Sequence, residues 1–216
     1  MAQIDKPSLH FNTKLYTGTG NDNHGITGVG FQPDFTWIKE RSSTSSHALW
    51  DAVRGVTKKV ESDNDQAEGT DATGLKSFDS DGFTVGTSAQ VNQSGINNVA
   101  WNWKAGTTSG LSGGTITPSS YSINTTSGFG IYKYTGTGSA GTIAHGLGST
   151  PKLIIVKCTS NADTWAVYHA DVGATKYMEL DTNVGAQTST VPWNDTEPTS
   201  SVFTVGTWSA TNGSGR

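Results

Sequence analysis

The side chains best suited to chemistry gather in His47-Ala48-Leu49-Trp50-Asp51-Ala52-Val53-Arg54. A hydrolytic triad needs a nucleophile set against a His that a carboxylate orients. Ser42, Ser43, Ser45 and Ser46 stand nearby, but none sits in a nucleophile elbow. The expected role of Asp51 and Arg54 is therefore a structural ion pair, and no residue is assigned to catalysis. Asp79-Ser80-Asp81-Gly82 and Glu61-Ser62-Asp63-Asn64-Asp65 could offer oxygens to calcium. The first lacks the length and the closing Glu of a calcium loop, and Asp and Asn favour turns for local reasons alone. No metal ligand and no cofactor is expected.

Aromatic residues carry the other candidate chemistry, because flat sugar faces stack on exposed rings. Of the seven Trp residues, Trp37, Trp101 and Trp103 lie in patterned strands and are expected in the core. Trp193, in Val191-Pro192-Trp193-Asn194-Asp195, and Trp208, in Gly206-Thr207-Trp208-Ser209, lie in loop-like surroundings. With Tyr168, His169 and Trp50 they form the candidate ligand-binding set. Loops rich in Gly, Ser, Thr and Asn suit adaptable surface recognition.

The elements that must position these residues are strands. The chain has 216 residues, 27 of them Gly, and only 15% are charged. Val, Ile, Thr and aromatic residues recur in short runs between Gly, Asn, Asp and Ser clusters, the pattern of a sandwich or barrel. A net charge of −4 without a basic cluster argues against nucleic acid. The single Cys158 excludes an internal disulfide. No apolar run approaches the roughly 20 residues of a membrane span, and Met1 to Lys6 lack a signal-peptide core. Phe78-Asp79-Ser80-Asp81-Gly82-Phe83 signals a hairpin. Leu153-Ile154-Ile155-Val156, apolar throughout, predicts a central strand covered on both faces. Asp51 to Lys59 could form one helical turn.

Internal repetition sets the organisation. Tyr16-Thr17-Gly18-Thr19-Gly20 returns as Tyr134-Thr135-Gly136-Thr137-Gly138, an offset of 118. Pro33 and Lys39 match Pro151 and Lys157, His47-Ala48-Leu49-Trp50 falls on Trp165-Ala166-Val167-Tyr168, and Phe83-Thr84-Val85-Gly86 matches Phe203-Thr204-Val205-Gly206. The triad-like set is not repeated: Trp165, His169 and Val172 take the places of His47, Asp51 and Arg54. The fold expected is all-β, two tandem antiparallel β-sandwich-like domains at residues 8–104 and 118–216, joined by a Gly/Ser/Thr linker over 105–117. Short leading strands are expected at Ser8–Phe11 and Ser120–Ile123. In the first copy, Asn98-Val99-Ala100-Trp101-Asn102-Trp103-Lys104 follows the last loop; in the second, the chain reaches Arg216 and this strand is missing. An unclosed sheet exposes unpaired backbone, so further chain or a neighbouring chain is expected to fill the gap.

Phe11-Asn12-Thr13-Lys14-Leu15-Tyr16-Thr17-Gly18, Gly30-Phe31-Gln32-Pro33-Asp34-Phe35-Thr36-Trp37-Ile38-Lys39 and Val99-Ala100-Trp101-Asn102-Trp103-Lys104 resemble the tandem β-repeat domain of tailed-bacteriophage virion proteins, common in marine phages. His145-Gly146-Leu147-Gly148 and Pro151-Lys152-Leu153-Ile154-Ile155-Val156-Lys157 carry the resemblance through the second copy. It implies a non-enzymatic tail-fibre or virion-surface module, made in the host cytoplasm and located on the particle. Its implied partners are a host-surface glycan or receptor and other virion proteins, with a homotrimer as the oligomer to test. A purely architectural spacer or decoration repeat is the competing expectation. A polysaccharide depolymerase is a third, and would need two carboxylates about 5–10 Å apart in a cleft.

Overall fold

The structure is a computed structural model and describes residues 4–216. The chain divides into two compact units. One holds the chain up to Glu61 together with Glu68–Gly106, the other Ser62–Ala67 together with Thr107–Arg216.

In the first unit, short runs of extended residues alternate with Gly- and Asn-bearing turns. The strands are β1 (Phe11–Thr17), β2 (His24–Thr27), β3 (Phe35–Glu40), β4 (Ala48–Asp51), β5 (Lys58–Lys59), β6 (Gly69–Thr70), β7 (Leu75–Asp79) and β8 (Gly82–Val85). A helical turn, α1 (Ala89–Asn92), precedes the last strand, β9 (Asn97–Trp103). One sheet is ordered β1-β9-β3-β4 and another β2-β8-β7, while β5 and β6 pair separately. All these pairings are antiparallel. Ile38, Ala48, Trp50 and Ala100 of the first sheet meet Ile26, Leu75, Phe83 and Val85 of the second, with Val91 closing the core. Burying large apolar side chains between two such faces is what holds a sandwich together.

The expected hairpin is β7-β8. Its Gly82 has φ 152°, and a Cβ there would lie 1.9 Å from the Ile26 carbonyl oxygen, so only glycine fits. One local expectation changes. Ser8–Phe11 is not a leading strand: Pro7–Leu9 is a 3-10 turn and the strand starts at Phe11, consistent with the fixed φ of Pro7. Asp51 to Lys59 holds only a single α-turn, closed by Gly55 N–H donating to the Asp51 carbonyl (2.9 Å), before the chain enters β5, as expected of one helical turn.

The second unit repeats the plan. It contains β10 (Ser120–Asn124), β11 (Phe129–Lys133), β12 (Gly141–Ala144), β13 (Leu153–Val156), β14 (Ala166–His169), β15 (Lys176–Glu179), β16 (Gln187–Thr188), β17 (Val202–Val205) and the helical turn α2 (Ser209–Asn212). Strands β11, β13, β14, β15 and β16 stand where β1, β3, β4, β5 and β6 stand in the first unit, at an offset of 118. Strand β17 and α2 match β8 and α1 at an offset of 120. Sheets β13-β14-β15-β16 and β12-β17 enclose Ile143, Val156, Ala166, Tyr168, Trp193, Phe203 and Val205. Among the described residues no strand corresponds to β9.

That omission corrects the reading of Leu153–Val156. Among the described residues β13 pairs with β14 alone. Leu153 is 54% exposed and Ile155 41% exposed, so the strand is an edge, not a covered centre. Four apolar residues in a row cannot reveal whether a neighbour is present. The Gly/Ser/Thr stretch after Gly106 also behaves differently from a free tether. Thr107 and Ile123 exchange backbone hydrogen bonds (2.9 and 3.0 Å), and Ile116, which is buried, donates to the Thr142 carbonyl (2.9 Å).

The repeated Tyr-Thr-Gly-Thr-Gly motif is explained by a polar hub. Asn92 Oδ1 accepts from Thr19 N–H (2.9 Å), and its Nδ2 donates to the Gly86 and Asn21 carbonyls (2.7 and 2.8 Å). Asn212 does the same with Thr137 N–H (2.8 Å) and the Gly206 and Ser139 carbonyls (2.7 and 2.7 Å). Tyr16 Oη donates to the Val91 carbonyl and Tyr134 Oη to the Thr211 carbonyl. A Cβ at Gly18 or Gly136 would come within 2.3 or 2.2 Å of the carbonyl oxygen of Gln93 or Gly213, the residue after the hub Asn.

Candidate functional site

The most distinctive surface is the outer face of β1-β9-β3. Registers Phe11↔Trp103↔Phe35, Thr13↔Trp101↔Trp37 and Leu15↔Val99↔Lys39 place these side chains on one side, since alternate residues share a face. The other side carries the buried Ala100, Asn102, Thr36 and Ile38. Trp103 packs between Phe11 (ring centroids 4.8 Å) and Phe35 (5.2 Å). Trp37 meets Trp101 edge-on at 6.1 Å. Trp37 Nε1 donates to His47 Nδ1 (2.8 Å), which places the proton of a neutral His47 on Nε2. Leu15 and Phe11, exposed, continue the apolar row.

This face corrects the expectation that Trp37, Trp101 and Trp103 are core. All three are half-buried, on the outward side of their strands. Their types and alternation were visible in the sequence. The direction of the alternation depends on which face the second sheet covers, and neighbouring positions did not reveal it.

The five candidate ligand-binding residues separate. Trp50 (0% exposed), Tyr168 (2%) and Trp193 (1%) are core and present no ring to a ligand. Trp50 is on the inward side of β4. Tyr168, its counterpart, donates from Oη to Glu197 Oε2 and packs edge-on against Trp193 at 6.1 Å. Burial and the Glu197 carboxylate push the Tyr168 phenol well above its ordinary pKa. Trp193 looked loop-borne because Pro192 and Asn194 flank it, yet the turn folds its indole inward. Trp208 is half-buried against Tyr177, ring centroids 4.8 Å apart. His169, at the end of β14, is partly exposed and accepts from Asp171 N–H (3.2 Å). The structure does not bring these five together as one surface.

The triad-like set also separates. Arg54 Nε meets Asp51 Oδ2 (2.5 Å) and Arg54 Nη1 meets Glu68 Oε2 (3.1 Å). Asp51 Oδ1 additionally accepts the N–H groups of Val53 (3.0 Å) and Arg54 (2.8 Å). His47 belongs to the Trp37 contact instead. The turn carboxylates serve local geometry. Asp79 accepts from Ser77 and Thr84 hydroxyls (2.7 Å each). Asp81 accepts from Gly30 and Gly28 N–H (2.7 and 3.0 Å), which hold its carboxyl below the usual carboxylate range. No group of three or more His, Cys, Asp or Glu suited to a metal occurs among the described residues. A concavity of about 360 Å³ lies in the second unit between Leu111, Ile123, Gly146 and Ser200. Its lining has hydroxyls and glycines but no titratable side chain.

A protein-family model matches residues 6–216, nearly the whole chain. The chain belongs to the family described as a domain of unknown function, DUF7483. No curated protein and no solved structure matches it. The DUF7483 match spans both units, so the aromatic face and the repeated Asn hubs fall within a single family unit.

Proposed function

We propose that this DUF7483 chain is a non-enzymatic virion-surface or tail-fibre module that contributes to recognition of host-cell glycan. The observation that carries this reading is the aromatic row on the outer face of β1-β9-β3, above all the Trp37–Trp101 pair. Sugar rings present C–H faces to aromatic rings, and a sheet face holds such rings at fixed spacing on a rigid support. The virion assignment rests on the sequence resemblance described above. Glycan-array and host-adsorption measurements with the purified protein test it. Binding is expected, and Trp37→Ala with Trp101→Ala should weaken it by about tenfold or more, the scale of losing one or two stacked contacts. Binding that is absent, or unaffected in folded variants, overturns the reading.

A second reading is architectural: a repeat that holds neighbouring parts of a particle together. Strand β13, whose far edge has no ladder partner among the described residues, favours it.

A further inference from the structure

One loop recurs in both copies but is filled in only one of them. In the first unit Gly28-Val29-Gly30 follows β2, with φ 79° at Gly28 and 90° at Gly30. Its three N–H groups all donate to Asp81: Gly28 and Gly30 to the carboxylate (3.0 and 2.7 Å), Val29 to the carbonyl (3.1 Å). Backbone N–H groups turned onto one anion in this way form a nest. In the second unit Gly146-Leu147-Gly148 follows β12 at an offset of 118, with φ 63° and 71° at its glycines. Ser201 stands where Asp81 stands, so the built-in carboxylate is gone. The Ser201 carbonyl accepts from His145 N–H (3.0 Å), and Leu147 N–H donates to His145 Nδ1 (3.1 Å). Neither glycine N–H donates to any described residue. Both glycines line the concavity of about 360 Å³.

We propose that this concavity binds an acidic sugar of the uronic acid class, with the Gly146 and Gly148 N–H groups taking its carboxylate. The first unit supplies the precedent: there the equivalent glycine N–H groups hold a carboxylate and favour its ionised form. The remaining lining fits the rest of such a ligand. Leu111 and Ile123 offer an apolar wall to the C–H face of a sugar ring. A Cβ at Gly146 would press on both side chains (3.0 and 3.1 Å), so this glycine lets the loop sit close to that wall. Ser109, Ser112, Thr125 and Ser200 offer hydroxyls that have no partner among the described residues. No lysine or arginine lines the site, and Lys14, which adds to the hold on Asp81, has Tyr132 as its counterpart. Affinity should therefore be modest, about millimolar. The choice of a sugar rests on the glycan reading above, whereas the carboxylate site rests on the loop and the cavity alone.

The test is a titration of the 216-residue protein with sodium glucuronate, followed by amide NMR. Saturable shifts of the Gly146 and Gly148 amide resonances are expected. Acetate, a carboxylate without hydroxyls, should reach the same amides about tenfold more weakly, and glucose should leave them unmoved. S201D restores the carboxylate that the first unit carries. It should move both glycine resonances by itself and abolish glucuronate binding, with the resonances of β14 and β15 unchanged. Failure of glucuronate to shift the two amides in the folded protein overturns the proposal. Binding that S201D leaves intact, or glucose binding of equal strength, overturns it too. Acetate binding as strong as glucuronate binding overturns the sugar as the ligand class. Because Gly146 and Gly148 report this site alone, failure here leaves the Trp37–Trp101 reading standing, and failure there leaves the carboxylate site standing.

Discussion

Strands β3 and β13 occupy the same place in two copies of one plan, yet their surroundings differ. β3 has β9 on one side and β4 on the other; among the described residues β13 has β14 alone. The side chains follow this difference. Thr36 and Ile38 are fully buried, whereas Ile154 is only half-buried and Val156 retains slight exposure. Outward, Phe35 and Trp37 lean on β9's indoles, while Leu153 and Ile155 stand in the open. Composition runs opposite to burial: the less covered strand is the more uniformly apolar. An edge strand of this kind is a pairing hazard in isolation.

What the two copies share should be the most sensitive to change. The Asn92 and Asn212 hubs are each almost fully buried and each bond one backbone N–H and two carbonyls. Replacing either Asn by Ala leaves those groups without partners, a loss of about 2–3 kcal/mol. Equilibrium denaturation of N92A and N212A, with segment-resolved amide exchange, should show similar costs, each centred on its own unit. A large cost at Asn92 with none at Asn212 would break the equivalence.

A smaller contrast separates the paired strand from the open one. Trp37→Lys removes an edge-on Trp pair and the bond to His47, and should cost about 1–2 kcal/mol. Ile155→Lys, at the equivalent outward position, removes little packing and should fall within about 0.5 kcal/mol. Urea unfolding of the two variants measures the difference. Equal costs would mean that Ile155 is covered in solution.

Repetition made much of this legible. The all-β class, the β7-β8 hairpin and the Asp51–Arg54 pair follow from turn chemistry, alternation and a constant offset. The direction of each face did not. Trp37, Trp101 and Trp103 alternate as core residues would, but which side of β9 meets β2-β8-β7 is decided by long-range packing. Trp193 erred the other way, because Pro and Asn neighbours describe its backbone turn and not where its indole goes. The Asn hubs gave only a faint signal: Asn92 and Asn212 recur behind matching Phe-Thr-Val-Gly segments, and a buried amide is indistinguishable in sequence from a surface one.

The smallest expected effect, and the most local, is the response to acid, which should divide the copies. Asp81 in the first unit has its carboxyl held below the ordinary range by the Gly30 and Gly28 N–H groups, with Lys14 adding to the effect. The equivalent place in the second unit is Ser201. There the perturbed group is His145, almost fully buried, whose Nδ1 accepts from Leu147 N–H (3.1 Å) and whose Nε2 faces the Thr199 carbonyl (3.2 Å). Burial lowers its pKa, partly opposed by the Thr199 bond. For both groups the folded state binds its proton less readily than the unfolded chain, so each contribution is present at high pH and lost on acidification. The windows differ. His145's contribution should decline as pH falls below its unfolded value of about 6.5, and Asp81's only below about 3.9. Amide exchange followed in β17 and β8 from pH 8 to pH 3, corrected for intrinsic rates, should therefore show the second unit loosening first. Asp81→Asn should flatten the acid limb in β8 alone, and a simultaneous loss in both strands would show that the two units unfold as one.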